Sequence, residues 1–176
     1  MRIAVYGGSF NPPHVGHAMV ASWVRWADLA DEVWLMPAAN HAFGKQLPDF
    51  SDRVRWCEAL AGSLGAWARV TSIEQSLGSP SYTLHALDAL SARNPGGELR
   101  LLIGADNVPQ LPRWHRWGEI KDRYDPLVVG RAGYERWSPE GAPVFPGVSS
   151  TEVRRRLADG ESVSGLVPAS VLRAMR

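Results

Sequence analysis

Apolar positions along this chain fall into two alternating rhythms. Short, nearly continuous apolar runs at residues 2–6, 32–36, 69–73, 99–103 and 126–129 predict five buried strands. Between them, apolar residues recur every three to four positions. Val15, Met19, Val20, Trp23, Val24 and Ala27 predict a helix over 15–30. Val54, Cys57, Leu60 and Ala61 predict a second helix, which Ser51 can cap. Leu84, Leu87 and Leu90 predict a third over 81–92. A short helix over 114–121 and closing helices over 150–158 and 168–175 complete the pattern. Gly7-Gly8, Pro37 and Gly104 end strands, Pro109 and Pro112 mark a broken segment, and residues 38–50 and 130–148 read as loops.

Strands that alternate with helices, and that are apolar on both faces, predict an α/β fold. The expectation is a Rossmann-like single domain: a mainly five-stranded parallel sheet flanked by helices. Ligands of such sheets lie beyond the carboxyl ends of the strands. That selects the loops 7–14, 37–48, 74–82, 104–114 and 130–149 as the places to look for chemistry.

Composition narrows the partners. The 176 residues suit one domain with a core that needs no disulfide or metal staple. Nineteen basic residues face eighteen acidic ones, which gives no nucleic-acid footprint. The one cysteine, Cys57, excludes an intramolecular disulfide and fits a reducing, cytoplasmic setting. No apolar run approaches the roughly 20 residues that span a bilayer, and no signal peptide is visible, so no membrane partner is expected. Most of the eight tryptophans are expected in the core. A homo-oligomer is left open.

The loop Gly7-Gly8-Ser9-Phe10-Asn11-Pro12-Pro13-His14-Val15-Gly16-His17 carries the densest chemistry. Two glycines directly after a strand let the backbone turn sharply and approach a ligand. The amides there, with the N-terminus of the next helix, form an anion site. His14 and His17, three apart, share a face of the first helical turn, and Gly16 between them leaves room for a ligand. Such donors suit a polyphosphate and the charge that grows on phosphorus during transfer. A zinc reading is weaker, because His-x-x-His alone lacks the third and fourth ligands that zinc needs, and no metal ligand is assigned. Near the other end, Ser149 and Glu152 can form a capping box that leaves first-turn amides free, and Arg154 then lies one turn in, able to grip a phosphate; an ordinary capped helix with solvated arginines is the alternative. Asp106, just after the fourth strand, can accept from ribose hydroxyls or cap a helix.

The first loop resembles the GG(S/T)F(D/N)P-x-H-x-GH signature of the nucleotidyltransferase superfamily, in the form found in nicotinate and nicotinamide mononucleotide adenylyltransferases. Ser149-Ser150-Thr151-Glu152-Val153-Arg154 resembles the superfamily's ISSTxxR motif, and Ile103-Gly104-Ala105-Asp106 its IGAD element. The resemblance extends from Arg2 to about Leu172. It implies transfer of AMP from ATP to nicotinate mononucleotide, with release of pyrophosphate and magnesium arriving on the ATP. His14, His17, Lys45 and Arg154 are the implied catalytic groups. Gly7, Gly8, Ser9, Phe10, Gly16, Gly104, Asp106, Arg131, Ser149, Ser150 and Thr151 are implied on the ATP side. Asn11, His41, Tyr82, Thr83 and Trp114 are implied on the mononucleotide side, with Trp114 of Leu-Pro-Arg-Trp stacking on the pyridine and Trp117 packing. Ser81 is equally a helix cap, and Arg131, in a turn like the family's RPGY, is equally a surface residue. The segment Ala38-Ala39-Asn40-His41-Ala42-Phe43-Gly44-Lys45 departs from the family's Pro-His-Lys, with His41 and Lys45 offering the same charge at another spacing. Two other functions fit the end motifs: a different acceptor, as in phosphopantetheine adenylyltransferases, or a nucleotide-binding module without catalysis.

Overall fold

The computed structural model describes residues 1–39 and 47–176. Six parallel strands form one sheet: β1 (Arg2–Gly8), β2 (Glu32–Pro37), β3 (Ala68–Val70), β4 (Glu98–Gly104), β5 (Leu127–Arg131) and β6 (Val144–Phe145). Their order is β3-β2-β1-β4-β5-β6. The chain thus builds outward from β1 on one side, then returns to its other side with β4. Between the carboxyl ends of β1 and β4 the connections diverge, which opens a crevice.

Helices α1 (Val15–Trp26), α2 (Phe50–Leu64), α3 (Thr83–Arg93), α4 (Trp117–Tyr124), α5 (Ser150–Ala158) and α6 (Ala169–Ala174) cover the sheet. Strand alternation decides what meets what. Ile3 and Val5 of β1 join Leu84, Leu87, Leu101 and Ile120 in a core beneath α3 and α4. Ala4 faces the other way, against Val20, Ala21 and Val24 of α1. The lower part of that second face is Leu35, Cys57, Leu60, Val153 and Val171, which joins α2, α5 and α6.

The sheet has six strands where five were expected, because Val144 and Phe145 inside the Gly/Pro-rich loop pair with Gly130 and Arg131. Gly130 is necessary for that approach, since a Cβ there would lie 2.5 Å from the Pro143 carbonyl oxygen. Pro37 does not stop β2 but is its last residue. Its missing N–H falls on the β3 side, where β3 has already ended at Val70, so no ladder bond is lost. β3 is correspondingly shorter than predicted, and a 3-10 turn over Ile73–Ser76 replaces its end. Helix starts shift as well: Asp49 rather than Ser51 precedes α2, and Tyr82 rather than Ser81 precedes α3. The broken segment after β4 is a 3-10 run over Ala105–Arg113, which tolerates both prolines. Among the described residues, no helix is long and apolar enough to cross a membrane.

Candidate active site

A cleft of about 460 Å³ opens at the crevice between β1 and β4. Gly7, Gly8 and Ser9 form one wall and Gly104 and Asp106 the opposite one. The N-termini of α1 and α5 meet across it, bringing His14, Gly16 and His17 from one and Ser150, Thr151 and Arg154 from the other. Two helix N-termini aimed at one cavity make it attractive to anions. Among the described residues that line it, Asp106 is the one acid, against Arg131, Arg154 and the two histidines.

The two ends of the chain are stitched together here. Arg154 Nη1 donates to the Asn11 carbonyl at 2.7 Å and Nη2 to Thr151 Oγ1 at 3.3 Å. Ser150 Oγ donates to the Pro12 carbonyl at 2.9 Å. Ser149 caps α5 by accepting from Glu152 N–H at 3.2 Å. The expected capping box is only half formed: the Glu152 carboxylate turns away to Arg155 and Arg156, whose charges outcompete a neutral amide.

His14 is the N-cap of α1, and its N–H donates to His17 Nδ1 at 3.1 Å. His17 Nδ1 is therefore an acceptor, and the neutral ring carries its proton on Nε2. The two imidazoles lie 3.8 Å apart, inclined by 31°. His14 Nδ1 is buried without a partner among the described residues. Burial, aided by the Arg131 charge, lowers the His14 pKa to about 4. Burial, then the charges of His14 and Arg131, hold His17 well below the ordinary value. Both rings are thus neutral at pH 7. A Cβ at Gly16 would lie 3.0 Å from His14 Nδ1, so a larger residue there would press on that ring.

Between pH 6.5 and 4 the unfolded chain takes up the proton that native His14 refuses, so acid favours the unfolded state. The contribution of His14 is fully present above pH 6.5 and should be lost by about pH 4, on the order of 3 kcal/mol. Asp31 and Glu152, held near 2 by arginine partners, give up their contributions only at lower pH. Urea unfolding at stepped pH should show this loss together with that of His17, which is depressed in the same direction, and His14→Gln should make the dependence shallower without abolishing it. A wild-type stability constant from pH 6.5 to 4.5 would remove the buried neutral histidine from this picture.

Other predicted residues take more specific places. Phe10 turns its ring into the core, 1% exposed, so only its backbone is available to a ligand. Its φ of 45° is unusual for a residue with a side chain. Asn11, 7% exposed, remains on the cleft wall. Arg131 is half-buried and paired: Nη1 pairs with Asp106 at 2.7 Å and Nη2 donates to the Val148 carbonyl at 3.2 Å. Asp106 tucks over Gly104, where a Cβ would collide with its carboxylate. Tyr82, Thr83 and Trp114 are not in the cleft lining. Asn107 and Gln110 do line it, and their 3-10 run leads from the cleft to Trp114. There Trp114 meets Trp117 edge-on at 6.1 Å, half-buried against the core, and Tyr82 stacks on His115 at 4.1 Å. His41 and Lys45 lie outside the described residues.

Sequence reasoning missed Tyr6, His115 and Arg53. Tyr6 lies on the cleft floor with its ring 5.7 Å from that of His17, and burial together with the Asp106 charge keeps its phenol protonated. Among the described residues, no group of three or more His, Cys, Asp or Glu side chains could hold a metal ion.

Residues 5–156 match the cytidylyltransferase-like family, and the chain belongs to it. Relatives carry a more particular name. The probable nicotinate-nucleotide adenylyltransferase of Anaeromyxobacter dehalogenans (strain 2CP-C) is 44% identical over 175 residues, covering 98% of this chain and 92% of the relative. That of Myxococcus xanthus is 42% identical over 172 residues, covering 98% and 90%. Among solved structures, Plasmodium falciparum nicotinic acid mononucleotide adenylyltransferase complexed with NaAD superposes with a TM-score of 0.78, covering 99% of this chain and 94% of that one. At 16% identity it speaks for the fold alone.

Proposed function

We propose that this chain is a nicotinate-nucleotide adenylyltransferase: it transfers AMP from ATP to nicotinate mononucleotide, giving the deamido dinucleotide and pyrophosphate. The observation that carries this reading is the convergence of the His14/His17 turn and the Ser150/Thr151/Arg154 turn on one anion-attracting cleft. The names of relatives at 42–44% identity supply the acceptor.

The acceptor phosphate is already anionic, so no side chain needs to act as nucleophile. Its oxygen attacks the α-phosphorus in line, the bond to the bridging oxygen breaks, and pyrophosphate leaves. The protein contributes positioning and charge stabilisation. His17 Nε2–H faces this task as a neutral donor, which needs no proton transfer. Arg154 and the N-terminus of α5 receive the leaving pyrophosphate. Asp106 is set to accept from ribose hydroxyls while Arg131 holds it in place. Lys45, which follows β2 in sequence and lies outside the described residues, is the further positive charge proposed for the phosphates. The divalent cation enters as magnesium–ATP, a substrate, and spreads the charge of the phosphates. Trp114 and Tyr82 provide the aromatic wall for the pyridine ring.

Pyrophosphate release, measured over nicotinate mononucleotide, nicotinamide mononucleotide and phosphopantetheine, tests the assignment. The nicotinate compound should give the highest kcat/KM. Turnover of phosphopantetheine alone would move the chain to a different acceptor. No turnover with any of the three, despite ATP binding, would make it a non-catalytic module.

The pyridine wall has its own test. Trp114→Ala should raise KM for the mononucleotide by about 5- to 150-fold, the equivalent of roughly 1–3 kcal/mol of stacking, with little change for ATP. Equal rises in both KM values would point to a disturbed core instead, since Trp114 also packs there.

A further inference from the structure

Arg53 is among the largest fully buried side chains of the protein, with 1% of its surface exposed. It makes no ion pair among the described residues. Instead its guanidinium serves three backbone carbonyls. Nη1 donates to Ser9 at 3.0 Å and to Ala38 at 2.8 Å, and Nε donates to Pro48 at 3.1 Å. The Phe50 ring lies 5.4 Å from its central carbon. Nearby Glu74, also buried, accepts from Ala39 N–H at 2.9 Å rather than pairing with it. A buried cation costs desolvation, and an apolar side chain of similar length would fill the space at lower cost. The position of its three acceptors gives the charge a use. Ser9 belongs to the cleft wall, Ala38 directly follows β2, and Pro48 directly follows Leu47, which also lines the cleft.

We infer that Arg53 is a positioning residue for adenylyl transfer, which fixes the Ser9–Phe10 peptide and the Ala38 and Pro48 backbone to one rigid fork behind the cleft. In a trans peptide the carbonyl and the following N–H point in opposite directions. Holding the Ser9 carbonyl at the guanidinium therefore directs the Phe10 N–H the other way, and among the described residues that N–H has no partner. A cation on the carbonyl polarises the whole amide and strengthens its N–H as a donor. The left-handed backbone of Phe10 is costly by itself and persists because its surroundings impose it. The buried Phe10 ring imposes it from one side and Arg53 from the other. Arg53 touches no substrate in this arrangement; it acts through the backbone that does.

This inference rests on the adenylyltransferase reading, and kinetics with the full chain separate the two. Arg53→Lys keeps the charge and the stem, but a compact ammonium cannot reach three carbonyls in a fixed fork. Its kcat should fall at least about tenfold, while KM for both substrates stays within about threefold and the melting temperature stays close to wild type. Arg53→Ala should be slower still, and millimolar guanidinium should restore part of its kcat where equal sodium chloride or urea does not. If Arg53→Ala fails to fold, Arg53→Lys decides alone. Unchanged kcat in Arg53→Lys overturns the inference, as does a folded Arg53→Ala that guanidinium leaves slow. The comparison uses whichever acceptor the wild type turns over, so a wrong acceptor is revealed by the wild type and not by the variants. A wild type that binds ATP but turns over no acceptor overturns both readings.

Discussion

His17→Ala should lower kcat by about 100- to 1000-fold, with KM for ATP changed much less. This is the loss associated with removing one preorganised donor from a developing charge. The donor is Nε2–H, because Nδ1 is occupied by the His14 N–H. That second bond makes Ala an ambiguous variant, since its loss also loosens the turn. His17→Asn resolves the ambiguity: its amide oxygen can accept from His14 N–H in place of Nδ1, but no donor reaches the position of Nε2. It should be nearly as slow as His17→Ala. Wild-type turnover in either folded variant would remove His17 from the reaction.

Arg154→Ala should reduce kcat/KM for ATP by about 10- to 100-fold from the phosphate contact alone, since a hydrogen bond to a charged group contributes about 1.5–3 kcal/mol. A further loss is expected because Nη1 also holds the Asn11 carbonyl. Arg154→Lys should recover the charge without the fork and regain only part of the rate. The two effects separate by substrate: a missing phosphate contact affects ATP, whereas a loosened Asn11 also affects the mononucleotide. Steady-state kinetics with each substrate varied in turn would show this, and an unaltered kcat/KM for ATP would exclude Arg154 from triphosphate binding.

The elements that sequence reasoning placed well are those whose chemistry is local. β1, α1 and the glycine turn between them follow from a few adjacent residues, as does α5, whose range 150–158 agrees with Ser150–Ala158. What escaped was non-local. The strand order and the β6 pairing depend on which segments meet, and two residues of strand leave no periodic trace. Asp106 and Arg131 each suggested a separate ligand contact, but pairing with each other uses part of that capacity. Arg53 is different, because its signal was present. It shares a helical stripe with Cys57 and Leu60, at four- and three-residue steps, so a cation stood in an apolar row. Charged residues on helices are so often solvated that a single cation in such a row carries little signal by itself.

The bonds that close the cleft join residues far apart in synthesis. Arg154 and Asn11 are 143 positions apart, and Ser150 and Pro12 are 138. At 5–20 residues per second, the glycine turn leaves the peptidyl centre on the order of ten seconds before its partner helix exists. Throughout that interval the growing chain has β1 and the two histidines but no α5 to complete the cleft. On the proposed reading, a chain that ends before α5 should bind ATP more weakly than the full chain, which equilibrium binding to the two would check. A ligand that needs α5 would then stabilise chains that have passed this point more than those that have not, which would make it selective for completed folds.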